Sequence, residues 1–188
     1  GAIRWKERCH QGGLPEHLHR KNTAATPTPA SDGKAVYVAF HNSGRIFVPS
    51  LSLQGNRLWQ NHAGPSECDY GLGYATSPVL YHSPRYLLSS AFAEGGFLAA
   101  FRTSDGQEIW RNPRRIKTSY SSPVVATLAG REQVVLTGGG RFSAYDPANG
   151  ALLWEVEGSC NATCGTPVWS DDMVFASGGF PQQETTAV

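Results

Sequence analysis

Four cysteines, Cys9, Cys68, Cys160 and Cys164, and three histidines, His10, His17 and His19, are the side chains of this 188-residue sequence best suited to bind metal or form covalent links. An even cysteine count in a turn-rich chain suggests disulfides and an oxidising compartment. A bridge from Cys160 to Cys164 would close a five-residue loop and leave Cys9 to pair with Cys68. Four cysteines allow three pairings, and spacing does not choose among them. Cys-x3-Cys without a second cysteine pair at ligand spacing is a poor zinc site. His10, His17 and His19 share the long segment 6–22 with Cys9, where a solvated polar loop is expected rather than a metal centre.

Other candidates are recognition residues. Arg111, Arg114, Arg115 and Lys117 form a basic cluster that could meet an acidic partner. Tyr70, Tyr74 and Tyr120 stand just before short apolar runs. Asn161-Ala162-Thr163 is formally a glycosylation acceptor, expected by chance in a bacterial chain. No catalytic order of Ser, His and Asp, no phosphate loop and no metalloprotease helix occurs, and the 15 acidic residues are scattered apart from Asp171-Asp172. No catalytic residue is assigned.

The elements that must position these residues are short strands. With 16 basic and 15 acidic residues the net charge is +1, which excludes the electrostatic footprint of a nucleic-acid binder. The chain is 40% hydrophobic, enough for a core, and has no apolar run long enough to span a bilayer as a helix. Its 21 glycines and 12 prolines imply many turns. A Gly-x-x-x-Trp unit recurs at Gly1–Trp5, Gly55–Trp59, Gly106–Trp110 and Gly150–Trp154. A Ser/Thr-Pro step keeps phase with it at Thr28-Pro29, Ser77-Pro78, Ser122-Pro123 and Thr166-Pro167. Each period holds four apolar runs separated by turn residues, and none shows helical periodicity. Four strands in about 45 residues make a β-propeller blade. Trp5, Trp59, Trp110 and Trp154 are then blade-packing residues, large apolar surfaces placed once per blade. The fifth, Trp169, is expected in the core of an inner strand.

The unit Ala144-Tyr145-Asp146-Pro147-Ala148-Asn149-Gly150-Ala151-Leu152-Leu153-Trp154 resembles the repeat of the pyrroloquinoline-quinone-like (PQQ-like) propellers, with Asn149 in place of the usual Thr. The second copy carries Arg102 where the repeat has Asp, and the first keeps little beyond Gly55 and Trp59. The resemblance spans roughly residues 22–188, and the style is similar to the large secreted PQQ-like repeat proteins of environmental bacteria. It implies an all-β fold of four-stranded antiparallel blades. An outer strand at 2–6, blades at about 22–61, 72–112 and 117–157, and a partial blade at 162–188 put about four blades in view. A window on a seven- or eight-bladed ring is expected, with a four-bladed ring closed by its own first strand as the alternative.

The family includes quinoprotein dehydrogenases and non-catalytic scaffolds, among them a lipoprotein that helps assemble outer-membrane proteins. The enzymes' adjacent cysteine pair is missing here, and all but one Trp serves the blade motif. The resemblance therefore implies a non-catalytic scaffold, periplasmic or extracellular, with no cofactor in this segment. It would bind a protein or small ligand, the rest of its ring or another chain, on the loop face bearing His10, His17, His19, Tyr70, Tyr74, Arg114, Arg115 and Tyr120. The alternatives are a segment of a PQQ- and calcium-dependent alcohol or sugar dehydrogenase, and a carbohydrate-binding module using the tyrosines.

Overall fold

The computed structural model describes residues 1–14, 18–20, 22–66, 73–82, 85–91, 96–114, 116 and 119–188. Every regular element among them is a β-strand, paired antiparallel into four sheets in chain order. The first contains β1 (Ala30–Ser31), β2 (Ala35–Tyr37), β3 (Phe40–Asn42), β4 (Arg45–Ser52) and β5 (Arg57–Pro65). The second contains β6 (Val79–His82), β7 (Arg85–Ala91), β8 (Phe97–Arg102) and β9 (Glu108–Pro113). The third contains β10 (Val124–Leu128), β11 (Arg131–Gly138), β12 (Arg141–Tyr145) and β13 (Leu152–Glu157), and the fourth β14 (Val168–Ser170), β15 (Met173–Gly178) and β16 (Glu184–Ala187). No helix of the structure is long and apolar enough to cross a membrane.

The second and third sheets are simple meanders, β6-β7-β8-β9 and β10-β11-β12-β13. The first differs because β2 and β3 are two pieces of one strand, both paired with β4. The break has a local cause. Val38 donates its N–H to Pro49 O at 3.2 Å, so the Pro49 nitrogen faces the same strand and has no hydrogen to return.

In the first three blades the third strand, β4, β8 or β12, is largely buried, and this explains its composition. In β8, Phe97 through Phe101 are all inaccessible, with Ala99 and Ala100 leaving room for the flanking sheets. Three apolar clusters lie between successive sheets. Tyr37, Ile46 and Val48 meet Phe97, Ala99 and Phe101 in the first. Leu98 and Ala100 meet Val134, Leu136 and Tyr145 in the second. Val135, Phe142 and Ala144 meet Val174 and Ala176 in the third. Trp59, Trp110 and Trp154 each sit against one of these clusters. Each Trp also faces a small residue on the strand beside it, Ser50, Ala100 or Ala144, and a β-bulge follows at that position every time.

Each indole leans on the glycine of the next Gly-x-x-x-Trp unit. A Cβ at Gly55 would lie 2.7 Å from the Trp5 ring, at Gly106 2.4 Å from Trp59, and at Gly150 2.4 Å from Trp110. The indole N–H then bonds across the same interface: Trp5 to Leu53 O at 2.9 Å, Trp59 to Thr103 O at 2.9 Å and Trp110 to Pro147 O at 3.1 Å. Trp154 instead donates to Gln133 Oε1 at 2.7 Å, inside its own blade. The Ser/Thr-Pro steps join the inner strands. Thr28 N–H donates to Ser77 Oγ at 2.9 Å, and Ser77 N–H to Ser122 Oγ at 3.0 Å.

The structure departs from the sequence reading at both flanks. The expected outer strand at 2–6 is not formed, because these residues have no ladder partner among the described ones; Trp5 still docks on Gly55. Trp169 is not core. It is 43% exposed in β14, and Val168 and Met173 of the same sheet and Phe180 in the β15–β16 connection are similarly open.

Candidate functional site

The segments that follow the outer strands fold onto the turns of neighbouring hairpins and so share one face. Ser43 N–H in the β3–β4 turn bonds to Gly13 O, and Ser66 N–H after β5 bonds to Gly44 O. In the third blade the β11–β12 turn holds residues Cys160 and Asn161 through Gly140 and Gly139 N–H groups. Tyr120 N–H, before β10, bonds to Thr163 O, before β14, at 2.9 Å. Loops pinned in this way on rigid blades are a surface suited to recognition.

A groove of about 670 Å³ opens on this face, between β9 and the third blade. Its β9 side is formed by Asn112, Pro113 and Arg114, with Ile116 beyond. Arg141, Tyr145, Leu152 and Glu155 form the opposite side, and Gly139 and Asn161 close it. Arg114 is 3% exposed. Its Nε donates to Tyr145 Oη at 3.0 Å, with the guanidinium carbon 5.7 Å from that ring's centroid. Burial holds its pKa below the ordinary arginine value, against the opposing pull of Tyr145 and Glu155. Arg141 is the reverse case. Glu155 bonds to it and raises its pKa, and Glu157 accepts a second bond at 3.1 Å. Ser143 Oγ donates to the other oxygen of Glu155 at 3.0 Å, so this carboxylate is held from two sides.

Among the residues singled out from sequence, Arg114 lies in this groove, and Tyr120, half-buried, lies outside its lining. Arg114 is thus not part of an open basic cluster, and Arg111 lies across Phe97, 4.1 Å from the ring centroid, bonded to Ala63 O and Glu108. Tyr74 is a core residue of the first cluster, which removes it from the exposed face. His10 packs against Phe47 in a tilted contact with ring centroids 4.6 Å apart, and burial followed by the nearby Arg57 lowers its pKa. His19 is exposed. His17, Tyr70, Arg115 and Cys68 lie outside the described residues.

The expected Cys160–Cys164 bridge is not present. Cys9, Cys160 and Cys164 are free thiols, and the pairing of Cys9 with Cys68 falls outside the described residues. Cys160 points inward beneath Gly178, where an added Cβ would sit 2.5 Å from its sulfur, and its thiol donates to Gln182 O at 3.2 Å. Cys164 is exposed, on the outside of the same segment. Burial, then Glu184, raise the Cys160 pKa; burial likewise raises that of Cys9. Neither environment favours a reactive thiolate.

The family model for the outer membrane protein assembly factor BamB matches residues 94–183. BamB from Moraxella catarrhalis superposes with a TM-score of 0.57 at 19% identity, over 80% of this chain and 46% of its own. The quinohemoprotein alcohol dehydrogenase ADHIIG from Pseudomonas putida HK5 gives 0.52 at 12% identity, over 85% of this chain and 30% of its own. Residues 94–183 thus match a PQQ-like repeat model, and both solved relatives share the propeller fold. No curated protein matches the chain by sequence. The chain spans less than half the length of either solved relative, and at these identities the likeness is one of fold.

Among the described residues no three His, Cys, Asp or Glu side chains stand close enough to hold a metal ion. The indole faces of Trp5, Trp59 and Trp110 are taken up by the glycines of neighbouring units.

Several residues of the blade interface and the groove were not singled out from the sequence. Asn61 and Asn112, each two residues after a blade Trp, donate across the blade interface to Gly106 O and Gly150 O, both at 2.7 Å. The repeated Trp-x-Asn is a signal that could have found them. Tyr145, Arg141 and Glu155 carry no such signal, because nothing periodic marks them.

Proposed function

We propose that the chain is a non-catalytic PQQ-like propeller scaffold that works outside the cytoplasm and holds a partner on its connection face. The observation that carries this reading is one of position. Every residue lining the groove, from Asn112 to Asn161, falls within the stretch 94–183 that matches the assembly-factor family. The groove is built from two blades and lined by both polar and apolar groups, and among its described residues no acid–base pair is arranged about a nucleophile. Recognition needs no more than this. Of the tyrosines that a carbohydrate-binding reading would use, Tyr74 is core and Tyr120 half-buried, which favours the scaffold reading.

The test is equilibrium dialysis of the chain against pyrroloquinoline quinone and calcium, followed by assay of alcohol- or sugar-dependent dye reduction. A scaffold retains no chromophore and reduces no dye. A retained chromophore with turnover would replace this reading with the dehydrogenase one.

A further inference from the structure

Residues 7–13 are fastened to the first blade at both ends. Arg57 of β5 holds the upstream end, pairing with Glu7 at 2.9 Å and donating to Arg8 O at 3.1 Å. The β3–β4 turn holds the downstream end, where Asn42 Nδ2 donates to Gly12 O at 2.6 Å and Ser43 N–H to Gly13 O at 2.8 Å. His10 sits between these anchors, against the rings of Phe40 and Phe47. Its Nε2 is buried and has no hydrogen-bond partner. We propose that this segment is an acid-released strap, docked while His10 is neutral and lifted from the connection face when His10 takes up a proton. The inference rests on the scaffold reading for its use, and gives the face that holds a partner a closed and an open form.

Three observations support the strap. An imidazolium has two N–H donors, and in the docked segment the one at Nε2 would meet no acceptor. The charged and titratable groups of the surrounding elements are Glu7, Arg8 and Cys9 in the strap, His41 in β3, Arg45 in β4, and Arg57 and His62 in β5. They set three guanidiniums against one carboxylate, and Arg57 already binds that carboxylate. Burial and then Arg57 disfavour the charged ring, in keeping with the lowered pKa of His10. Released into water, the ring regains its ordinary value near 6.5. As pH falls through that value the released form takes up the proton first, so acid favours release. The anchoring residues are exposed or half-exposed, which lets the strap lift without unfolding the blade.

The test is hydrogen exchange of the folded chain, read by nuclear magnetic resonance at pH 7.5 and pH 5 and corrected for the intrinsic effect of pH on exchange. Ser43 N–H reports the strap, because its acceptor is Gly13 O. Ser66 N–H reports the same turn without the strap, because it donates to Gly44 O. Acid should lower the protection of Ser43 about fivefold or more and leave that of Ser66 within about twofold. His10→Phe keeps a ring on Phe47 and carries no titrating proton, so Ser43 should then be equally protected at both pH values. In the unaltered chain, the ring-proton shifts of His10 should titrate in step with the loss at Ser43, an arm that no folding failure of the variant removes. Equal protection of Ser43 at both pH values, a loss shared by Ser66, a loss that persists in His10→Phe, or titration of His10 while Ser43 stays protected would each overturn the proposal. Each of these leaves the scaffold reading standing, since that reading fails only on a retained quinone and dye reduction.

Discussion

Gly150 shows how much one missing methyl group can decide. Its φ of 73° is left-handed, and the Trp110 ring occupies the space a Cβ would need. Gly130 has almost the same φ, 72°, with nothing within 4 Å. Gly130→Ala should therefore cost only the backbone strain, about 1–2 kcal/mol. Gly150→Ala adds a ring clash and should cost about 2–4 kcal/mol in urea unfolding. Equal losses would mean the indole moves aside freely. His10 gives a pH signature. Burial depresses its folded pKa below the unfolded 6.5, so near neutrality both states carry it uncharged. As pH falls below about 6.5 the unfolded state takes up the proton first, and stability drops. His10→Phe, which keeps a ring contact with Phe47, should flatten the stability profile between pH 7 and pH 5.

At the scale of the strand, the Ser/Thr-Pro steps tie one inner strand to the next through a backbone N–H and a hydroxyl. Ser122→Ala removes the acceptor of Ser77 N–H and should cost about 1 kcal/mol in chemical denaturation. A loss within error would show that water replaces the hydroxyl. Sequence reveals these elements well, because glycine, tryptophan and the proline step recur in phase and each blade needs all three. It reveals the groove poorly. Arg114 and Tyr145 are 31 residues apart on different blades, and their meeting depends on how β9 ends beside β12. Sequence also misleads at Tyr74, a loop residue by position that the fold draws into the first cluster.

Across the whole molecule, burial is uneven. The second and third sheets have neighbours on both faces, whereas the fourth leaves Val168, Trp169, Met173 and Phe180 open. Local opening is easiest where few apolar contacts must break. Hydrogen exchange should find the amides of β14–β16 exchanging several-fold faster than those of β11 and β12. Uniform protection across the four sheets would mean that they open only as one unit.

The Gly-x-x-x-Trp unit also has a consequence for how such chains change. Its first residue receives the upstream neighbour and its last reaches for the downstream one, so a single pentapeptide serves two different seams. A crossover inside that pentapeptide, between the glycine of one repeat and the tryptophan of another, would hand each seam a complete mating pair. Duplication or shuffling by whole periods is then neutral at the junctions, and any insertion of a fractional period is not. The repeat is a grammar as well as a building block, and its unit of inheritance runs from tryptophan to glycine.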